Sequence, residues 1–123
     1  MDAYTLKTRD WLNKRFRDVT EDGVYIPHQP IYGFRVEPGP YTRINRYAIT
    51  WQLMKTLAEI AFESVLDVGC AEGYKTAMVR DMFNVQVRGA DLSSEACRRA
   101  REIFDVAADE VDICRLPYRD NSF

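Results

Sequence analysis

A chain of 123 residues and 14.3 kDa holds one hydrophobic core and excludes a second independent one. With 46% hydrophobic residues, 6 Gly and 5 Pro it is neither collagen-like nor broadly disordered, and no apolar run nears the roughly 20 residues of a membrane helix. Lys and Arg number 17 against 19 Asp and Glu, a net charge of -2 that offers no field for nucleic acid, and no nucleic-acid partner is expected.

Cys70, Cys97 and Cys114 are odd in number and far apart, and no apolar leader follows Met1. A soluble, reduced, cytoplasmic chain is the expectation. His28 is the single histidine, so the sequence supports neither a Cys/His metal set nor a Ser-His-Asp triad, and no metal is expected.

Leu6, Trp11, Leu12 and Phe16 sit among Lys7, Arg9, Lys14, Arg15 and Arg17, a spacing for a short amphipathic helix that packs or caps, with substrate gating or a membrane surface as alternatives. Residues 19–37 read as turns and short extended pieces. Asp22-Gly23 suits a tight turn, and Pro27, Pro30, Pro38 and Pro40 interrupt regular hydrogen bonding. Residues 42–61 lack Pro and Gly; Ile44, Ala48, Trp51, Leu57 and Ala58 recur at helical spacing, widened by Ile49, Leu53 and Ile60, which predicts a long helix with a buried face.

The run 64–68 is short, β-branched and apolar and stops at Gly69, as a strand buried on both faces would. Gly73 opens a helical pattern through Met78, Val79, Met82 and Phe83, and 85–90 forms a second strand. Ser93 is placed to cap a third helix with Ala96, Ala100, Ile103 and Phe104 inward. Residues 111–113 form the core of a third strand. Two helical crossovers imply parallel pairing, hence an α/β fold: an incomplete Rossmann-like three-layer sandwich with about three parallel strands and an uncovered edge. The chain divides into a lead-in, 1–41, and a half-domain, 42–123.

The densest functional signal is Asp67-Val68-Gly69-Cys70-Ala71-Glu72-Gly73 at a strand-to-helix junction. Small residues there let backbone approach a ligand, and Asp67 can hydrogen-bond a cationic or polar group. Asp91 follows at the end of the second strand, where a carboxylate can accept from both hydroxyls of a ribose, and Asp112 at the end of the third, where it could accept from an exocyclic amine. The plain structural readings are a tight turn for Gly69 and Gly73, a helix-start turn for Asp91, a loop-edge acid for Asp112 and simple packing for Cys70. A nicotinamide or flavin fingerprint, G-x-G-x-x-G, is broken by Ala71 and Tyr74, and Glu72 disfavours a diphosphate at the helix start.

With Gly89-Ala90-Asp91-Leu92-Ser93 and the run from Asp112-Ile113 through Leu116-Pro117 behind that turn, residues 42–123 resemble the class I S-adenosylmethionine-dependent methyltransferases. The resemblance implies that Asp67, Gly69, Cys70, Ala71 and Gly73 neighbour the methionine part of S-adenosylmethionine. It implies that Asp91 binds the ribose hydroxyls, that Leu92 and Ile113 flank adenine, and that Asp112 accepts from its amino group. Ala71 departs from the family's common glycine. The family continues past a segment like 116–123 with a fourth strand beside the first, in sheet order 3-2-1-4-5-7-6, of which this chain would supply 3-2-1. The resemblance therefore implies methyl transfer to a small-molecule acceptor in a longer parent. An inactive structural or regulatory domain, with a homodimer covering the open sheet edge, is the alternative, and a dinucleotide-dependent oxidoreductase fragment a further one. Tyr25, His28, Tyr32, Arg35, Tyr41 and Arg43 precede the domain, and none is assigned as a catalytic base.

Overall fold

Two crossover helices carry the chain back to the same end of each strand, which makes neighbouring strands run the same way. In the computed structural model, which describes residues 1–19, 21–23 and 40–123 and the backbone alone for 40–46, β1 (Ser64–Val68), β2 (Gln86–Asp91) and β3 (Ala108–Glu110) form one parallel sheet in the order β1-β2-β3. The register runs from Ser64 opposite Gln86 to Val68 opposite Ala90, and from Gly89 opposite Ala108 to Asp91 opposite Glu110. Before the sheet come α1 (Ala3–Phe16) and α2 (Pro40–Ala58); the crossovers are α3 (Tyr74–Phe83) and α4 (Ser94–Phe104). This is the expected α/β fold, an incomplete Rossmann-like sandwich. Among the described residues no helix is long and apolar enough to cross a membrane.

Small side chains let α4 lie close to the sheet. Cys97 and Ala100 join Cys70, Ala77, Val106 and Ala108 in the core, with Phe104 packed against it. Ser93 caps α4 as expected, its hydroxyl oxygen accepting from the Ala96 N–H at 3.1 Å. Ile103, expected inward, is exposed.

Three expectations are corrected. The strand predicted at 111–113 lies earlier, at Ala108–Glu110, and Ile113–Arg115 is a short 3-10 helix, η1. Alanine and two acids are poor strand formers, so tertiary contacts decide. Gly89 N–H donates to Ala107 O at 2.8 Å, Arg101 donates to Ala108 O at 2.6 Å, and Arg88 forks onto both oxygens of Asp109, which also accepts from Tyr118 Oη. Next, β1 is half-buried along its length rather than buried on both faces, and Val68 is exposed. Its outer edge has no partner strand among the described residues.

Among the described side chains of 42–61, from Tyr47 on, the predicted buried face is absent as well. Met54 is buried, whereas Ile49, Trp51 and Ile60 are more than half exposed. Helical periodicity reports which face seeks burial; among the described residues no strand lies beyond β1 to bring a surface to that face. The Asp22-Gly23 turn is present, with Gly23 at φ +76°. Pro27, Pro30 and Pro38, with Tyr25, His28, Tyr32 and Arg35, lie outside the described residues, as do the side chains of Pro40, Tyr41, Arg43 and Ile44.

The amphipathic helix predicted near the N-terminus is α1, and it packs on the domain. Asp2 caps its own start by accepting from Thr5 N–H at 2.8 Å. Phe16 is 2% exposed and packs with Ala71 and Ala96, supported by Leu12, while Trp11 remains in solvent under the Arg15 guanidinium.

Candidate functional site

Leaving β1, the chain must turn sharply to enter α3, and three alternate residues take left-handed backbone to do so. Gly69 has φ +79°, Ala71 φ +49° and Gly73 φ +80°. The turn is anchored to the neighbouring strand: Gly69 and Cys70 N–H groups both donate to Ala90 O, at 2.7 and 3.1 Å. Gly73 N–H closes it on Cys70 O at 2.9 Å. A methyl group at Gly69 would meet nothing within 4 Å, so open space stands in front of the turn. Ala71, a non-glycine in this region, costs about 1–2 kcal/mol of backbone strain. Its methyl, packed with Phe16 and Ala96, offsets part of that.

Asp91 ends β2 and is 8% exposed. Its Oδ2 accepts from Ala71 N–H at 2.9 Å and its Oδ1 from Ser93 N–H at 2.9 Å. An ionised carboxylate offers about four lone-pair sites, so one remains on each oxygen, the pattern a vicinal diol can fill. Asp91 O accepts from Val111 N–H at 2.8 Å, which brings the next segment to the same end of the sheet.

There Asp112 lies two residues beyond β3 rather than within a strand, and its Oδ1 caps η1 by accepting from Cys114 N–H at 3.0 Å. Ile113 is exposed and Leu92 half-buried. Asp67 Oδ2 accepts from Thr76 Oγ1 at 2.6 Å, which ties β1 to α3 and leaves Oδ1 for other use. The structure thus joins the 69–73 turn to Asp91 by a direct hydrogen bond, carries 111–113 alongside through Val111, and commits one oxygen of Asp67 to the fold.

Cys70 is 1% exposed, and its thiol lies beneath Gly89, where an added Cβ would come within 2.6 Å of the sulfur. Burial, with the Asp91 charge beside it, pushes this thiol far above the ordinary thiol range. Burial also pushes Cys97 up to about 11. Whatever part Cys70 takes beside a ligand is through its backbone. Cys114 alone of the three is exposed, so a disulfide reagent is expected to label one thiol quickly in the native chain and all three after denaturation, read as absorbance of the released thiolate. Fast labelling of two or more native thiols would contradict the packing role of Cys70 and Cys97.

Sequence reasoning passed over Thr76 and Asn13. Asn13 Oδ1 accepts from Ser93 Oγ at 2.6 Å. No spacing or motif links residues 80 positions apart. Among the described residues no three His, Cys, Asp or Glu side chains gather in a metal-ligand cluster.

Residues 65–123 match the family described as "Methyltransferase domain". Over 99% of its length the chain is 29% identical to the methyltransferase GfsG of Streptomyces halstedii, covering 46% of that protein. Among solved structures it is similar to geranyl diphosphate C-methyltransferase from Streptomyces coelicolor A3(2), in complex with Mg2+, geranyl diphosphate and S-adenosyl-L-homocysteine, at TM-score 0.60 and 22% identity, covering 95% of this chain and 50% of that one. The same enzyme with geranyl-S-thiolodiphosphate gives TM-score 0.60 and 25% identity over 95% and 51% of the two chains. A geranyl diphosphate methyltransferase in complex with GPP and sinefungin gives 0.57 and 24% over 95% and 52%. The chain therefore spans about half the length of these relatives.

Proposed function

We propose that this chain, whose residues 65–123 belong to the class I S-adenosylmethionine-dependent methyltransferases, supplies most of the cofactor-binding half of an enzyme that methylates a small-molecule acceptor. The observation that carries this reading is the Asp91 carboxylate, fixed by one N–H from the glycine turn and one from its own loop, with a lone pair free on each oxygen. Open space at Gly69 supports it, since backbone there accepts close approach of a ligand.

Bound S-adenosylmethionine supplies an electrophilic methyl group on a sulfonium. In this reading Asp67, Gly69, Cys70, Ala71 and Gly73 border its methionine part. Asp91 accepts from the ribose hydroxyls, Leu92 and Ile113 flank adenine, and Asp112 accepts from the adenine amino group. These residues bind and orient; the acceptor side and any base lie outside them. Residues 1–41 form the lead-in and 42–123 the half-domain of a cytoplasmic protein. The acceptor is a small molecule, by analogy with relatives named for geranyl diphosphate.

A second reading, an inactive structural or regulatory domain, is favoured by the open outer edge of β1 and the exposed apolar face of α2, which a second copy of the chain would cover. Calorimetric titration with S-adenosylmethionine, S-adenosylhomocysteine and NADH, with light scattering for the oligomeric state, separates the two. The sulfur ligands are expected to bind and NADH not. A folded dimer that binds none of them would replace the first reading by the second.

A further inference from the structure

We infer that Asn13, on the N-terminal helix, is a positioning residue for the ribose-binding carboxylate, so that α1 acts as a clasp on the cofactor site. The inference rests on the proposed cofactor reading.

A continuous relay of hydrogen bonds supports it. Asn13 Oδ1 accepts from Ser93 Oγ at 2.6 Å and, over longer distances, from Ser94 Oγ at 3.4 Å and Glu95 N–H at 3.3 Å. Ser93 is fully buried, its hydroxyl oxygen accepts from Ala96 N–H, and its own N–H donates to Asp91 Oδ1. The other Asp91 oxygen holds Ala71 N–H. One amide oxygen on α1 therefore fixes the residue that fixes the carboxylate, and the carboxylate fixes the glycine turn.

Packing tells the same story independently. The Phe16 ring sits on Ala71 of the glycine turn and on Ala96 in the first turn of α4. Arg17 pairs with Glu95 at 2.9 Å, and Arg99 donates to Asp18 O at 3.2 Å. The methyl at Ala71, where a glycine would be less strained, is what gives Phe16 a surface there. A neutral amide also suits position 13, because it satisfies the buried Ser93 hydroxyl without placing another negative charge near Asp91 and Glu95. A binding carboxylate held by such a shell has little freedom to lose when ligand arrives.

The test uses the whole chain, with S-adenosylhomocysteine titrated by calorimetry and amide exchange followed in the free protein. Asn13→Leu keeps the volume and removes the acceptor. It is expected to weaken binding about tenfold, as loss of a partner for one buried hydroxyl implies, and to speed exchange at the Ala71 and Ser93 amides. Exchange of the amides paired between β1 and β2 should not change. Asn13→Asp keeps the acceptor but adds the charge that a neutral amide avoids, and is expected to keep the Ala71 and Ser93 amides as protected as in the parent while its affinity falls between those of Asn13→Leu and the parent. Unchanged affinity in Asn13→Leu overturns the inference, as does faster exchange spread evenly over the sheet, which marks a general loss of stability. Should Asn13→Leu not fold, Asn13→Ala, with room for a water, is expected to show the same pattern at about threefold, and its absence overturns the inference equally. A parent chain that binds no S-adenosylhomocysteine fails earlier, at the cofactor reading itself, and takes the inference with it.

Discussion

Replacing Asp91 by alanine is expected to weaken S-adenosylhomocysteine binding by about 100-fold, the largest loss of affinity from any single side chain of the site. Two hydroxyls of a ribose would donate to this carboxylate, and each charge-assisted bond contributes about 1.5 kcal/mol, so their loss approaches 3 kcal/mol. The substitution also removes the acceptor shared by Ala71 and Ser93 N–H groups, which loosens the turn that faces the methionine part of the ligand. Asp91→Asn separates these effects. Its single amide oxygen can serve one of the two backbone donors, while its NH2 must face the other, so an intermediate affinity with a lowered melting temperature is expected. Affinities are compared on variants whose near-ultraviolet circular dichroism matches the parent. A folded Asp91→Ala chain that binds within threefold of the parent would remove the ribose assignment, and with it the observation on which the proposed function stands.

The place of Asp91 is legible in the sequence because the alternation of strand and helix carries a strong signal here. Ser64–Val68 reads as a strand from its β-branched run, and Ser93 as a cap from its place before Ala96, Ala100, Ile103 and Phe104. The glycines at 69 and 73 mark positions where the backbone needs positive φ, and both take it. Ala71 takes it too, without any sign in its residue type; its methyl packs with Phe16, 55 positions earlier in the chain. The third strand was misplaced by three residues for a related reason. Val111 and Ile113 have the better strand propensity, yet Ala108–Glu110 pairs with Gly89–Asp91 because Arg88 and Arg101 hold it there. In α2 the periodicity named an apolar face correctly and its burial wrongly, since burial depends on a surface that periodicity does not report. Local patterns were legible; couplings between distant segments were not.

The two glycines of the turn should separate folding from binding, and the second large effect follows from their different surroundings. At Gly73 an added Cβ would lie 2.9 Å from Ala100 Cβ, 3.4 Å from Ala100 Cα and 3.5 Å from Val106 Cβ, at φ +80°. Ala100 and Val106 are both in the core, and one of the three contacts is to helix backbone, so the neighbours cannot simply swing away. Left-handed strain of about 1–2 kcal/mol and overpacking of about 1–3 kcal/mol together predict a loss near 3 kcal/mol for Gly73→Ala, read as a lowered urea midpoint. For a domain this small that is a large share of total stability. Gly69 has the same backbone, φ +79°, but nothing within 4 Å of its added Cβ. Gly69→Ala should therefore lose only about 1–2 kcal/mol from strain, while its methyl fills the space proposed for the methionine part of the ligand and weakens S-adenosylhomocysteine binding by at least tenfold. Equal midpoints for the two variants would contradict the close seam between the turn and α4. Full affinity in Gly69→Ala would show that the ligand does not cross the turn at that residue, and would shift the site towards Asp91 and Asp112.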